Sequence, residues 1–206
     1  MARLSQNFYA QDTLKAAQLL LGKYLIRRLN GEILAGRIIE TEAYIGRCDK
    51  ACHAYQYRRT ARTETLFAPP GTAYIYLIYG MYHCLNFVTE PEGEPAAVLL
   101  RALQPVAGTE TMTRLRYGDK PLTAFRKKNF LNGPGKVCQA LALTRAENGV
   151  NLTGDTLFIC DCPEDAGLSG FPVPAEEHIS AGPRVGVDYA EEARDFPWRF
   201  RLAEEA

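Results

Sequence analysis

Apolar residues near the start of the chain recur at helical spacing and then begin to alternate with polar ones. Leu14, Ala17 and Leu21 predict a helix that begins after Asp12, whose carboxylate can accept hydrogen bonds from the free N-terminal amides. Gly22 is typical of a helix end because glycine tolerates the left-handed exit. The chain therefore opens with a short helix and continues as strands.

A first β-hairpin is predicted around Asn30-Gly31, a strong short hairpin signal, with strand-like segments at 23–28 and 33–44. Because side chains alternate between the faces of a strand, the second strand has two predicted faces. One face carries Glu40, Glu42 and Tyr44, and the other carries Ile39, Thr41 and Ala43. A rigid strand would hold such carboxylates in a fixed direction.

A second hairpin is predicted from residues 73–79 and 82–89, with Gly80 and Met81 at its tip. Before it, residues 46–71 are rich in Arg, Thr, Gly and Pro and read as a long irregular loop. A loop of this length in a compact domain is usually functional or disordered. Tyr79 and Tyr82 bracket the tip, where an aromatic ring has few partners in its own core.

The remaining pattern mixes strands with scattered helices. Helices are predicted over 109–116 and from Pro134 onward, and strands over 97–103, 156–160, 184–187 and 198–202. The strand at 97–103 is apolar apart from Arg101, so that guanidinium needs an edge position or a buried partner. This mixture indicates an α+β fold in one domain spanning 1–206, with a curved, mostly antiparallel sheet and flanking helices.

Composition narrows the class of protein. The 206 residues are 47% hydrophobic, which is enough for a sizeable core. The sequence contains no run of about 18 apolar residues, the length that a membrane span needs. Its N-terminus turns polar at once, unlike a secretory signal. We therefore expect a cytoplasmic protein without a membrane partner.

Charge is balanced overall but uneven along the chain. The formal net charge is zero, with 24 basic and 24 acidic residues, so global electrostatics indicate no particular partner. Basic residues cluster at 58–62 and between Arg114 and Lys128, where Asp119 is the one acid. Such clusters suit a phosphate-binding face, although ordinary solvated surface charge accounts for them equally well.

Six cysteines raise the alternative of a thiolate metal protein. Cys48, Cys52, Cys160 and Cys162 are the candidate ligands, with His53 beside them. Their spacing is a poor match to structural zinc sites, which show tight, repeated pairs. We expect reduced thiols and no metal.

Tyrosines are concentrated in one part of the chain. Seven of the eleven fall between Tyr44 and Tyr82, more phenols than a core readily satisfies. Rings gathered near a carboxylate are typical of a surface that stacks nucleobases.

Glu42, with Arg101 orienting a water, could hydrolyse an N-glycosidic bond by stabilising an oxocarbenium-like transition state. The alternative is a noncatalytic nucleic-acid-binding module in which Glu42 only hydrogen-bonds within the sheet.

Several motifs, in order along nearly the whole chain, resemble those of the alkyladenine DNA glycosylases, also called 3-methyladenine or methylpurine DNA glycosylases. They are Glu40-Thr41-Glu42-Ala43-Tyr44, Arg62-Thr63, Pro69-Pro70-Gly71, Tyr76-x-x-Tyr79-Gly80-Met81-Tyr82-His83-Cys84-Leu85-Asn86, Leu100-Arg101-Ala102-Leu103, Gly133-Pro134-Gly135-Lys136 and Arg184-Val185-Gly186-Val187-Asp188-Tyr189-Ala190.

The resemblance implies a monofunctional base-excision repair enzyme that flips a damaged purine out of duplex DNA and hydrolyses its bond to deoxyribose. It implies that Glu42 activates water with Arg101 and the backbone carbonyl of Val185. Tyr44 and Tyr76 would sandwich the base.

The same resemblance implies further contacts. His53 would contact the edge of the base, and Asn86 would exclude guanine by crowding its exocyclic amino group. Tyr79, on a protruding hairpin, would insert into the DNA stack. We expect no cofactor, double-stranded DNA as the partner, a monomer, and a cytoplasmic protein associated with the bacterial nucleoid when on DNA.

Overall fold

The computed structural model describes residues 3–169 and 178–203, and its centre is an open antiparallel sheet of eight strands. The strands are β1 (Tyr24–Leu29), β2 (Glu32–Ile45), β3 (Ala73–Ile78), β4 (Tyr82–Val88), β5 (Ala96–Ala107), β6 (Leu157–Cys160), β7 (His178–Gly182) and β8 (Arg199–Ala203). The main path of the sheet runs β3-β4-β5-β2-β1-β6, and β8 pairs with both β2 and β7. The long strands β2 and β5 therefore lie at its middle.

Within the described residues, five short helices flank the sheet: α1 (Gln6–Tyr9), α2 (Thr13–Leu19), α3 (Thr109–Tyr117), α4 (Ala124–Lys128) and α5 (Pro134–Ala140). The main core forms where α2, α3 and α5 pack their apolar residues against β2, β4 and β5; Leu20, Ile38, Leu85, Leu100, Met112 and Leu141 are fully buried there. The architecture confirms the predicted α+β class and a single domain.

Local predictions that rest on turn chemistry are confirmed. The Asp12 side chain accepts a hydrogen bond from the Lys15 amide at the start of α2. Asn30 and Gly31 both take positive φ angles, 50° and 84°, as the tight turn between β1 and β2 requires. These features depend on neighbours in sequence, so a short stretch of chain is enough to specify them.

The predicted faces of β2 are partly wrong. Ile38, not Ile39, belongs to the core with Thr41 and Ala43, because the register between β2 and β5 shifts between Ile38 and Glu40. A second shift lies between Glu40 and Thr41, where the partners on β5 jump from Ala102 to Leu100. These bulges leave Ile39 and Arg101 outside the regular register, and a bulge redirects a side chain.

The strand predicted over 184–187 is also wrong. This segment is irregular and lies between β7 and a short 3-10 helix at Glu191–Asp195. Gly186 takes a φ of 75°, which a strand does not accommodate, and the Val185 amide donates to a side chain instead of to another strand. The short elements α1, α4 and β7 were not predicted from the sequence.

Candidate active site

A cavity of about 800 Å³ opens beside β3, β4 and β5 and is closed by the loop after β2 and by the 184–189 segment. We call it the tyrosine cavity; its walls include Tyr44, Tyr74, Tyr76, Tyr79, Tyr82 and Tyr189. The volume falls within the usual range for small-molecule sites. The cavity also contains His53, Asn86, Arg101 and Val185, so it brings together every predicted site residue except Glu42.

Glu42 lies directly behind the cavity wall. Its side chain is 0% exposed, and three cavity residues donate to or pair with its carboxylate. Tyr44 donates through its hydroxyl to Oε2 at 2.7 Å, the Val185 amide donates to Oε1 at 2.8 Å, and Arg101 Nη1 lies 3.4 Å from Oε1. A carboxylate can accept at about four positions, two on each oxygen. Val185 and Arg101 take both positions on Oε1 and Tyr44 takes one on Oε2, so one position on Oε2 remains.

Arg101 links two carboxylates of β2. Its Nε donates to Glu40 Oε1 at 3.2 Å while Nη1 pairs with Glu42. Glu40 also accepts from Arg199 on the neighbouring strand β8. The bulge in β5 turns Arg101 toward both acids, which supplies the buried partners that its apolar strand requires.

Val185 approaches Glu42 through its backbone. The structure shows its amide donating to the carboxylate, whereas the predicted role concerned its carbonyl, which no contact in the structure tests. Val185 as a residue is 47% exposed, and its one hydrogen bond to Glu42 comes from the backbone amide.

A buried ion pair that the sequence analysis missed supports Tyr44 and the Val185 segment. Arg184 donates to both carboxylate oxygens of Asp49 and to the carbonyls of Ala43 and Ala193. Its guanidinium lies 4.7 Å from the centre of the Tyr44 ring. Because the two partners are 135 residues apart, nothing local in the sequence signals the pairing.

Tyr44 itself is tightly held. Burial, and then the neighbouring Glu42 carboxylate, raise the pKa of its hydroxyl well above the ordinary value. The phenol therefore keeps its proton and remains a hydrogen-bond donor to Glu42 across the physiological pH range.

His53 and Tyr76 form a second wall. Their rings meet edge-to-face with centroids 4.6 Å apart, and His53 Nδ1 lies 3.0 Å from the Tyr74 hydroxyl. Burial, followed by the charge of Arg62, lowers the pKa of His53 from 6.5 to about 4. The imidazole is therefore neutral near pH 7. Tyr74 and Arg62 are contacts of the predicted site that the sequence analysis did not assign.

Asn86 lies on the floor of the cavity and is almost fully buried. Its amide nitrogen donates to the carbonyls of Tyr74 at 3.1 Å and Cys84 at 3.3 Å. These two bonds fix the orientation of the side chain, so it presents a rigid group to whatever enters.

Tyr79 lies at the turn between β3 and β4, which pair antiparallel. It has a φ of 54°, uncommon for an aromatic residue, and is 79% exposed. Among the predicted site residues it is the one with the largest exposure. The structure therefore leaves its ring available to a partner.

The six cysteines are free thiols. Within residues 3–169 and 178–203, no group of three or more His, Cys, Asp or Glu side chains is arranged to hold a metal ion. In the same part of the chain, no helix is long and apolar enough to cross a membrane.

Comparison with known proteins identifies the class. Residues 7–206 match the model of the family described as methylpurine-DNA glycosylase. A protein of Clostridium perfringens strain SM101 named "Putative 3-methyladenine DNA glycosylase" is 48% identical over 203 residues, covering 97% of this chain and 95% of the relative. A protein of Bacillus cereus strain AH820 with the same name is 50% identical over 194 residues, covering 94% and 92%.

The fold, the site and these matches define a DNA glycosylase, a repair enzyme that hydrolyses N-glycosyl bonds. The chain belongs to the methylpurine-DNA glycosylase family. Membership confirms the resemblance seen in the sequence and favours the enzyme over the noncatalytic binding module.

Proposed function

We propose that this protein is a monofunctional DNA glycosylase that flips alkylated or otherwise damaged purines out of duplex DNA and hydrolyses their bond to deoxyribose, leaving an abasic site. The observation that carries the proposal is the position of Glu42: a buried carboxylate, held by two hydrogen bonds and an ion pair, immediately behind an aromatic cavity. We also propose that the protein is cytoplasmic and associates with the nucleoid when it binds DNA. It would act as a monomer, since one lesion needs no symmetric partner.

The chemistry requires a water molecule opposite the leaving base. In the proposed step, the bond between C1′ and the purine nitrogen breaks and its electron pair leaves with the base. The water oxygen bonds to C1′ and its proton passes to Glu42, whose negative charge also stabilises the oxocarbenium-like transition state. Arg101 and the Val185 carbonyl would orient the water. A cationic alkylated purine becomes neutral as it leaves, so it needs no added acid.

Access to Glu42 depends on Tyr44 in this proposal. In the structure, the Tyr44 hydroxyl occupies Oε2, the oxygen that has the remaining acceptor site. A water that approaches Oε2 must share it with the phenol or displace it. A base stacked on the Tyr44 ring would thus be directly coupled to the position of the catalytic carboxylate.

Damaged purines would be recognised by ring faces and edges. Tyr44 and Tyr76 would enclose the extruded base, and a cationic base gains about 0.5 to 2 kcal/mol from each electron-rich ring. His53 would hydrogen-bond to the base edge as a neutral imidazole. Asn86, fixed by two backbone carbonyls, would collide with the 2-amino group of guanine.

Tyr79 would enter the duplex where the base has left. Unstacking a base costs a few kcal/mol, and an inserted ring recovers about 1 to 3 kcal/mol by stacking. The high exposure of Tyr79 supports this role because insertion would bury a ring that has little contact with its own protein.

The decisive experiment incubates the purified protein, with chelator present, with duplexes containing 3-methyladenine, 7-methylguanine, hypoxanthine or ethenoadenine. Chromatography of released bases should show at least one free purine, and strands should break only after alkali treatment. Folded protein that releases no base from any duplex would overturn the proposal. Borohydride trapping of a covalent complex with DNA would overturn its monofunctional part, because trapping requires a Schiff base.

A further inference from the structure

Arg62 contacts the wall formed by His53 and Tyr76 without lining the tyrosine cavity itself. Its guanidinium carbon lies 5.3 Å from the centre of the Tyr76 ring, and its Nη2 lies 3.4 Å from His53 Nε2. Arg62 also hydrogen-bonds to the Tyr74 hydroxyl, which contacts the other ring nitrogen of His53. One cation therefore lies against three of the residues that enclose the cavity.

The charge of Arg62 is not cancelled by an acidic side chain in the described part of the chain. Other arginines of the same loop are paired: Arg59 donates to both carboxylate oxygens of Glu64, and Arg47 pairs with Glu90. The partners of Arg62 are aromatic rings and an imidazole, which carry no negative charge. A full positive charge is therefore held against the wall.

The contact with Arg62 also determines which nitrogen of His53 carries the proton. A guanidinium can only donate hydrogen bonds, so Nε2 of His53 is the acceptor. The proton lies on Nδ1, which donates to the Tyr74 hydroxyl at 3.0 Å. Because the lowered pKa of His53 keeps its ring neutral, the positive charge at this wall belongs to Arg62.

The field of Arg62 acts on the groups of the wall. Burial raises the pKa of Tyr74 to about 12, and the charge and hydrogen bond of Arg62 oppose that rise. Burial lowers the pKa of His53, and the charge of Arg62 lowers it further. In both cases Arg62 favours the form of its neighbour that carries less positive charge. A base placed against the same wall would experience the same field.

Damaged purines differ in the charge that they carry as they leave. When the glycosidic bond breaks, cationic 3-methyladenine departs as a neutral molecule, whereas neutral hypoxanthine or ethenoadenine departs with the electron pair as an anion. That anion then takes a proton from water, and Glu42 returns to water the proton that it received from the attacking water. A fixed cation near the base therefore stabilises developing negative charge only when the lesion is neutral.

We propose that Arg62 promotes the excision of neutral damaged purines by stabilising the negative charge that develops on the departing base. It acts across the wall of His53 and Tyr76 without touching the base, and it gives no such help to cationic purines. The inference rests on the proposed function, which places the base against this wall. Because Arg62 is exposed and its field is screened by solvent, we expect an effect on the rate of about threefold to tenfold.

The test measures base release in single-turnover assays with saturating enzyme and duplexes that contain hypoxanthine, ethenoadenine or 3-methyladenine. Arg62→Gln should slow release of the two neutral bases about threefold to tenfold and leave release of 3-methyladenine at the wild-type rate. Arg62→Lys keeps the charge and should restore most of the lost rate. Arg58→Gln removes the same charge from an exposed position of the same loop and should match the wild type on all three lesions.

The ratio of rates between neutral and cationic lesions distinguishes an electrostatic role from a structural one. Equal slowing on all three lesions would mean that Arg62 only supports the wall, and unchanged rates would mean that its charge does not reach the base. Weaker binding of every duplex with unchanged saturating rates would assign Arg62 to a phosphate contact. Each of these results would overturn the inference. Release of no base by the wild type would overturn the proposed function as well, so the two failures are distinguishable.

A second measurement needs no DNA. The chain has three histidines, so the NMR signals of His53 can be assigned with His53→Gln and followed as pH is changed. Arg62→Gln should raise the pKa of His53 above its value of about 4, whereas Arg62→Lys and Arg58→Gln should not. An unchanged pKa in Arg62→Gln would overturn the inference, because a charge that does not act on His53 cannot act on a base beyond it.

Discussion

The wall around Glu42 and the turn that carries Tyr79 are built in opposite ways. Around Glu42, the polar atoms are buried and tied to one another through Tyr44, Arg101 and Val185. At the turn, Tyr79 is 79% exposed and Met81 is 64% exposed. The polar groups around Glu42 find their partners within the protein, whereas the turn presents its side chains to solvent.

The difference separates two tasks. A reacting group needs a fixed direction, because small displacements from the productive geometry cost rate, and a network of buried hydrogen bonds supplies that rigidity. A side chain that enters another molecule must first be available to it. Substitutions in the wall should therefore affect chemistry or folding, and substitutions at the turn should affect the encounter with DNA.

The largest effect is expected from Glu42→Gln. Loss of the carboxylate that acts as the general base should slow excision about 100- to 10,000-fold in single-turnover assays with saturating enzyme. The affinity for damaged duplex should be retained. Glu92→Gln, at an exposed turn, is the matched control and should behave as wild type. Full activity of Glu42→Gln would remove this carboxylate from the mechanism.

Asp49→Asn should have the largest effect on folding. It leaves the buried Arg184 guanidinium without its counter-ion, which typically costs about 3 to 5 kcal/mol in the free energy of unfolding. Glu64→Gln, which breaks the exposed pair with Arg59, should not change that free energy measurably. Urea unfolding followed by circular dichroism compares the two. Equal small changes would show that the buried pair does not stabilise the wall.

Tyr79→Ala should show the reverse behaviour. We expect it to reduce the excision rate at limiting enzyme by the equivalent of about 1 to 3 kcal/mol of lost stacking, with an unchanged free energy of unfolding. A lesion placed in an unpaired strand, where no stack has to be opened, should be excised at nearly the wild-type rate. A loss that is equally large on both substrates would contradict insertion into the duplex.

The smallest effect concerns pH. The pKa of His53 is lowered from 6.5 to about 4 in the folded protein, so the unfolded chain binds the extra proton first as pH falls. The stabilising contribution of neutral His53 is complete above pH 6.5 and is lost as pH falls through 4. After allowing for the remaining solvent contact of His53, this contribution to the free energy of unfolding is about 1 to 2 kcal/mol.

The comparison of His53→Gln with wild type checks this. Unfolding free energies measured from pH 7 to pH 4 should fall less steeply for the variant than for the wild type. Parallel curves would mean that another group carries the pH dependence. Since His53 is already neutral at pH 7, its titration should not shape the excision rate between pH 6 and 8.

Local chemistry allowed much of the fold to be predicted. The Asp12 cap, the Asn30-Gly31 turn and the antiparallel pairing of β3 with β4 follow from residues close together in the chain. The clustering of tyrosines also predicted an aromatic site. The segment at 184–187 was misassigned because its apolar valines resemble a strand, whereas its backbone is directed by contacts far away in sequence.

The sequence by itself determined the order of the longer strands and helices, the turns and the kinds of side chain available for chemistry, since these depend on short-range preferences and residue identity. The tertiary structure decided the bulges that direct Arg101, the Asp49 pairing that secures Arg184, and the approach of the Val185 amide to Glu42. Those contacts join residues more than a hundred positions apart or depend on the register between strands. Only packing of the whole chain, which removes water from these groups and forces each to find a partner, can select them.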